Sequence, residues 1–504
     1  MPNTYLIVLP LLSFVITGIV CLMYTGRVKV QRVLYMIGSG FAFGCAVKLI
    51  IEVNTFGILH IQVGGWEAPF GITVIVDRLA AVMVAITTLL GFVTSLYSFS
   101  GRTISKTKKR VGFFVSLSFM LAGITGSFIT GDLFNLYVWF EVMLISSFVL
   151  ITLGSERDQL EGGLKYVVIN FVASSFLLLA IGVLYGTTGN INMAALAENL
   201  KDPELSAVTQ IASVFLLISF GAKAALFPLF FWLPTSYHTP PIAIVSIIAG
   251  LLTKVGVYTL IRTYTLLFPL ENNYIQMILL VLACLTMVIG VLGAIAQKDI
   301  RKVLSFNLIS KIGFLVLGLA IYTPLALAGT IFYMLHHILV KTNLFFVTGL
   351  VREISGSYDS KQIKGLYDAA PMLSFIFIVL CFTLVGIPPF SGFWGKFMLV
   401  DAGLKAHYYI PAGVLLFTSL LTLYSMMKVW QEAFLSKLPV GSEQLLNEGV
   451  FIKQHKLMYA AVVLLLCCTL GVSFYPQPLM DYAYKAAEQL LDPSQYIHTV
   501  LGEN

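Results

Sequence analysis

Charge is scarce in this chain. Only 11% of its 504 residues are charged and 58% are hydrophobic, whereas soluble domains carry roughly 25% charge. With a mean hydropathy of +0.91, that deficit excludes a soluble globular protein and implies an integral membrane one. No polar stretch between the apolar runs is long enough for a separate soluble domain. Cysteine is also sparse. All six (Cys21, Cys45, Cys284, Cys381, Cys467, Cys468) fall inside apolar segments without metal-ligand or disulfide spacing, so they read as packing residues. There is no Walker sequence and no haem or iron–sulfur spacing. Gly38-x-Gly40 has no preceding strand, which rejects a nucleotide site. Neither a cofactor nor a metal is expected. The net charge of +7 does not point to nucleic acid, because its placement follows the loops of a membrane protein.

What is present is a series of apolar runs of bilayer-spanning length. They lie near 4–24, 33–53, 79–99, 112–130, 133–153, 166–186, 207–233, 242–262, 274–295, 303–322, 324–351, 371–400, 410–432 and 457–476. The fold class is therefore an all-α polytopic membrane protein with fourteen spans. The first run lacks a basic leader and a cleavage site and is expected to be retained. The runs at 207–233, 324–351 and 371–400 are long, which fits helices interrupted by a kink or an unwound turn. Between the second and third spans, FGILHIQVGGWEAPFGITVIVD (Phe56 to Asp77) predicts a small hairpin that clamps helix ends.

Basic residues set the orientation. Alternate loops carry 19 Lys and Arg on one side, including Arg27, Lys29, Arg32, Arg102, Lys106, Lys108, Lys109 and Arg110, against 5 on the other. Those five are Arg78, Lys201, Arg262, Lys405 and Lys485. A bacterial cell membrane location follows, with both termini and the hairpin outside. From Pro228 to Pro389 is 161 positions, and the span starts near 112 and 274 are separated by 162. That near-constant offset predicts a duplication. Spans four to eight (112–262) and nine to thirteen (274–432) are two five-helix blocks. Because five is odd they are inverted, an arrangement that places transport pathways at the midplane. Residues 1–111 precede them with spans one to three, and 433–504 follow with span fourteen and a tail.

Charges inside the apolar runs are the candidate site, since burying a charge in hydrocarbon is expensive and such residues mark ion pathways and proton relays. Glu141 is the one acid well inside a run, and Lys223 is its natural partner in a pair that tunes the lysine or fixes helix packing. Pro228 should break the helix after Lys223 and release the carbonyl of residue 224. Pro388 and Pro389 should do the same before Lys396. Lys254 stands midway through its span. His337 and Lys341, spaced i, i+4, share a face. His336 and Lys311 are additional candidates, Lys311 balanced between a relay and a local hydrogen bond. Lys48 with Glu52 and Lys428 with Glu432 read as snorkelling pairs near span ends.

GAKAALFPLFFWLPTSYHTPPIAIVSIIAGLLTKVGVYTLIR, KDIRKVLSFNLISKIGF, HHILVKTNLFFVTG and GIPPFSGFWGKF together resemble the proton-translocating antiporter-like family. That family includes the membrane-arm antiporter subunits of NADH–quinone oxidoreductase. The resemblance covers about residues 70–435, and its TKVGVY segment is most similar to the multisubunit cation/proton antiporter branch. It implies that Glu141 and Lys223 take the family's glutamate and lysine positions in spans five and seven, and that Lys254, His337 with Lys341, and Lys396 take the central axis. Tyr333 stands where some relatives carry another histidine. Lys396 replaces the glutamate of one complex I subunit type. The long carboxy-terminal lateral helix of the largest members is not expected.

The function implied is a Na+/H+ antiporter subunit working with other hydrophobic subunits in membrane lipid, with K+ as a further candidate cation. It would be a secondary transporter, not an enzyme. The runner-up is a proton-pumping subunit of an NADH dehydrogenase or membrane hydrogenase. A lipid or solute flippase is a third reading, which would need a wide basic cavity in place of singly spread lysines.

Overall fold

A computed structural model describes residues 4–99, 112–270, 274–437 and 448–502. The basic loop with Arg102, Lys106, Lys108, Lys109 and Arg110 lies outside the described residues. A short 3-10 turn, Thr4–Ile7, leads into α1 (Leu9–Met23) and α2 (Val28–Phe56). Strands β1 (Leu59–Gln62) and β2 (Thr73–Val76) follow, then α3 (Arg78–Phe99), α4 (Phe113–Ile129), α5 (Leu133–Thr152) and α6 (Arg157–Thr188). A short α7 (Met193–Asn199) precedes α8 (Ser206–Ala224), α9 (Trp232–Ser236) and α10 (Ile242–Leu266). The second half holds α11 (Tyr274–Ala296), α12 (Ile300–Ile321), α13 (Pro324–Ser355), α14 (Leu366–Ala369), α15 (Pro371–Val385), α16 (Ser391–Lys405) and α17 (Tyr409–Val429). α18 (Glu448–Gln454), α19 (Lys456–Phe474), α20 (Gln477–Leu491) and α21 (Pro493–Leu501) complete the chain. Among the described residues, 11 helices are long and apolar enough to cross a membrane, and α1, α4 and α15 are shorter apolar helices.

α10 and α13 are buried along their whole apolar windows, and α12 nearly so. These three form the axis of the bundle. α2, α6 and α17 turn apolar faces outward, with Ile37, Ile51, Phe171 and Leu420 exposed. Such faces suit hydrocarbon or neighbouring subunits.

Two expected breaks are present. α8 stops at Ala224, where Ala225 takes left-handed backbone at φ 63, and the helix resumes as α9 at Trp232. α15 stops at Val385 before Gly386 at φ 84, and α16 begins at Ser391. Pro228, Pro388 and Pro389 lie in the gaps, where a missing amide costs least. The third long run, by contrast, is a single uninterrupted helix from Pro324 to Ser355. It has no proline beyond its first turn, so no backbone bond is lost within it.

The hairpin forms as expected, antiparallel with Leu59 opposite Val76 and Gln62 opposite Thr73. It does clamp helix ends. The Gly131 amide donates to Thr73 O at 2.9 Å, and Asn192 Nδ2 donates to Thr73 Oγ1 at 2.8 Å. It thus ties the α4–α5 turn to the start of α7.

Packing corrects several expectations. The segment after span fourteen is not merely a tail: α20 packs on α13 and α3, burying Ala483, Ala486, Ala487 and Leu490. Arg262 is not a loop residue. It lies within α10, 8% exposed, and its Nη2 meets Asp77 Oδ2 at 2.5 Å. Neither i, i+4 snorkelling pair forms. Lys428 Nζ instead donates to Ile295 O at 2.9 Å, and Glu432 accepts from Ser360 Oγ at 2.5 Å. Each partner sits on another helix or loop, which sequence spacing cannot reveal.

Candidate ion-translocation site

Lys223 occupies the last turn of α8, immediately before the break. A side chain at Gly256 of α10 would bring its Cβ within 2.5 Å of the Ala224 amide, so the absence of one lets α10 lie directly against the break. The Lys223 ammonium donates to Ser174 Oγ of α6 at 3.1 Å and stands 4.7 Å from the Phe140 ring centroid. It does not form the expected contact pair with Glu141. The Glu141 carboxylate is close enough to act on Lys223 through space, but its Oε1 is buried without a hydrogen-bond partner. The two residues are neighbours in field, not in contact, because Ser174 takes the ammonium.

The breaks differ in how they satisfy their freed groups. At the first, Ala222 O takes Trp232 Nε1 at 3.0 Å, and the Phe227 amide donates to Thr286 Oγ1 at 3.0 Å. The lysine uses none of these. At the second, Lys396 Nζ donates straight to Val385 O, the last carbonyl of α15. An unwound turn can hold a cation in this way because its carbonyls lack helical partners.

Five more buried lysines and histidines lie on α10, α12 and α13. Lys254 Nζ donates to Ala249 O in its own helix at 2.8 Å, and Lys341 Nζ to Leu304 O of α12 at 2.9 Å. Lys311 Nζ donates to Thr422 Oγ1 of α17 at 2.7 Å and stands 4.2 Å from the Phe314 ring. Lys396 faces the same ring at 5.3 Å. His337 has no partner on either ring nitrogen, yet Lys254, Lys341, His336 and Lys311 all lie within its electrostatic reach. His336 Nδ1 meets Ser391 Oγ, the first residue of α16, at 2.8 Å, and it lies in the fields of Lys396 and Lys311. Tyr333 stacks on Phe314 with centroids 5.5 Å apart and sits 5.3 Å from His336. Its hydroxyl is unpartnered.

The structure therefore brings Lys254, His337, Lys341, His336, Lys311 and Lys396 into one field-linked row across α10, α13, α12 and α16. Lys311 belongs to its middle. None of these groups forms an ion pair among the described residues. A row of buried amines and imidazoles without counter-ions cannot all be charged together. It can pass charge along only by alternating protonation.

Ser174, the ligand of Lys223, was not singled out by sequence reasoning. The available signal was its place on a polar stripe of α6, with Asn170 four residues before it.

Two helices interrupted beside buried lysines are features of an ion-translocating membrane subunit of the antiporter type. A model of the NADH:quinone oxidoreductase/Mrp antiporter transmembrane family matches residues 130–422, and the chain belongs to that family. It is 41% identical over 502 residues, 99% of each chain, to a D-type Na(+)/H(+) antiporter subunit of Alkalihalophilus pseudofirmus. Its fold is similar to a chain of the Mrp complex from Dietzia sp., with a TM-score of 0.89, 28% identity and 99% of each chain covered. It also resembles a chain of the membrane-bound sulfane sulfur reductase, an archaeal respiratory membrane complex. There the TM-score is 0.87 and the identity 26%, over 98% of this chain and 99% of the other.

If the row is the path, its members should matter more than peripheral lysines. Lys396→Ala is expected to slow exchange by about tenfold or more, whereas Lys428→Ala, anchored to a carbonyl near a helix end, should change it little. Exchange assays on both variants at several pH values decide this. Equal, mild defects would remove Lys396 from the path.

Proposed function

We propose that this chain is the D-type component of a multisubunit Na+/H+ antiporter and carries protons between its two broken helices. The observation behind this reading is the row Lys254, His337, Lys341, His336, Lys311 and Lys396, buried and without ion pairs among the described residues, with Lys223 buried at the other break. Glu141 modulates Lys223 by field. The chain works as a secondary transporter. No cluster of buried acids among the described residues offers a cage for a desolvated Na+, so the row carries protons and the sodium route is formed with partner subunits.

In this reading fourteen spans cross the membrane, and α4, α5, α6, α8–α9 and α10 repeat in inverted form as α11, α12, α13, α15–α16 and α17. The interruption in the fourth member of each set supports that pairing. Both termini and the hairpin face outward, as the excess of Lys and Arg on the other side implies. Labelling of Lys108→Cys by an impermeant thiol reagent is expected only from the cytoplasmic side. Labelling from outside alone would reverse the topology.

Likeness to a chain of a respiratory membrane complex keeps one further reading, a component of a redox-driven pump. The composition of the gently solubilised complex separates the two. Small hydrophobic antiporter subunits are expected. Co-purifying flavin or iron–sulfur proteins would favour the pump.

A further inference from the structure

Lys223 is buried at the first break, and its contacts, Ser174 and Phe140, do not by themselves reach an aqueous surface. α6 supplies a route. Residues four apart follow a ridge that winds about 40° round an α-helix at each step, and on α6 that ridge runs through Asp158, Gly162, Tyr166, Asn170 and Ser174. Asp158 is exposed, while Tyr166, Asn170 and Ser174 are buried. The stripe ends on the Lys223 ammonium through Ser174. Its length is about 24 Å at 1.5 Å per residue.

At the exposed end lies a cavity of about 170 Å³, lined by Asp158, Glu161, Lys165, Thr235, His238 and Thr239. It has room for a few waters. A Cβ at Gly162 would come within 2.8 Å of Thr235 O, so this glycine lets α6 meet the α9 segment at the cavity. His238 Nδ1 lies 2.8 Å from Pro234 O. A carbonyl only accepts, so Nδ1 carries the hydrogen and Nε2 is the ring's proton-accepting atom.

Inward from the cavity the polar groups continue. Tyr237 is buried and its hydroxyl has no partner. Its ring meets Trp232, centroids 5.8 Å apart, and Trp232 meets Tyr166 at 5.4 Å. The Tyr166 hydroxyl lies 2.6 Å from Ser147 Oγ of α5, and the same hydroxyl lies within the field of Glu141. A buried, unpartnered tyrosine hydroxyl is costly to keep, and it is satisfied when water enters the route.

We propose that this stripe is the proton-access path to Lys223, from the cavity at His238 past Tyr237, Tyr166–Ser147 and Asn170 to Ser174. The proposal rests on the antiporter reading and names the entry of its first relay group. Each hydroxyl, bridged by water, takes a proton on a lone pair and releases its own, so one proton enters at the cavity and one arrives at the neutral Lys223 amine. No other atom moves. The path is for protons only, because each level offers one or two oxygens, whereas a dehydrated alkali cation needs a shell of several at once.

The test uses the complete complex in vesicles, with exchange followed by a pH-sensitive dye. Tyr166→Phe and Ser174→Ala are each expected to slow exchange about tenfold, a fraction of what a positioned proton-transfer group contributes. Ser174→Thr, which keeps the hydroxyl, should retain most of the rate. Ser175→Ala, on the exposed side of the same helix, should have no effect. In a background without native cysteines, modifying Thr235→Cys with a cationic thiol reagent should slow exchange from one membrane side only. Wild-type rates for Tyr166→Phe and Ser174→Ala in assembled complexes, with Lys223→Ala inactive, would overturn the path and leave the relay intact. An active Lys223→Ala variant would overturn the relay itself. Equal losses in Ser174→Thr and Ser174→Ala would mean that the position acts through packing, which also overturns the path.

Discussion

Lys223→Ala is expected to abolish Na+/H+ exchange, on the order of a hundredfold loss or more, while the complex still assembles. The lysine is 3% exposed and held by one hydroxyl and one aromatic face. Alanine would remove the group that takes the proton and the positive charge facing Glu141, but it breaks no contact ion pair, because no carboxylate touches Lys223. Ser174 would lose a donor, and its hydroxyl can turn to a backbone carbonyl in its own helix. Glu141→Gln is expected to do less. It removes a charge that acts on Lys223 through space and leaves the Lys223–Ser174 bond in place, so exchange should persist at a reduced rate with a displaced pH profile. Rates in vesicles, with assembly checked by native gel, test both variants. Wild-type exchange in an assembled Lys223→Ala complex would make this lysine a packing residue.

Asp77→Ala should act on stability instead. Asp77 is 2% exposed and pairs with Arg262, whose guanidinium also lies 5.7 Å from the Tyr258 ring and 5.3 Å from Tyr496. This cluster joins the start of α3, the end of α10 and the terminal helix α21. Removing one partner of a buried pair leaves an uncompensated charge, at a cost of about 3–5 kcal/mol. A marked fall in the thermal transition of the solubilised complex is expected, with loosening of α21. Asp77→Ala combined with Arg262→Met should recover part of the loss, since a buried pair replaced by apolar groups is often nearly neutral. An unchanged transition in Asp77→Ala alone would show that Arg262 finds water without help.

The elements themselves were legible in the chain. Long apolar runs, prolines beside Lys223 and Lys396, and paired glycines between β-type runs each carry a local physical signal. They marked the spans, the two breaks and the hairpin. The candidate residues were legible too, because a lysine inside an apolar run is conspicuous wherever it folds. Their partners were not. Glu141 looked like the only available counter-ion for Lys223, yet Ser174 took that place. Lys428 and Glu432 suited each other at i, i+4, yet each found a group elsewhere in the fold. Arg262 read as a loop charge because its span was ended four residues too early, and its partner Asp77 lies 185 positions away.

The sequence by itself determined that this is a membrane protein with two interrupted, lysine-bearing helices, because burying backbone and charge in hydrocarbon leaves few local solutions. Only the tertiary structure decided which groups meet. It set Lys223 on Ser174 and Lys396 on Val385 O, placed Lys311 between His337 and Lys396, and locked Arg262 to Asp77. The reason is that hydrogen bonds and buried charges act over a few ångströms, and those distances are fixed by how helices far apart in the chain pack side by side.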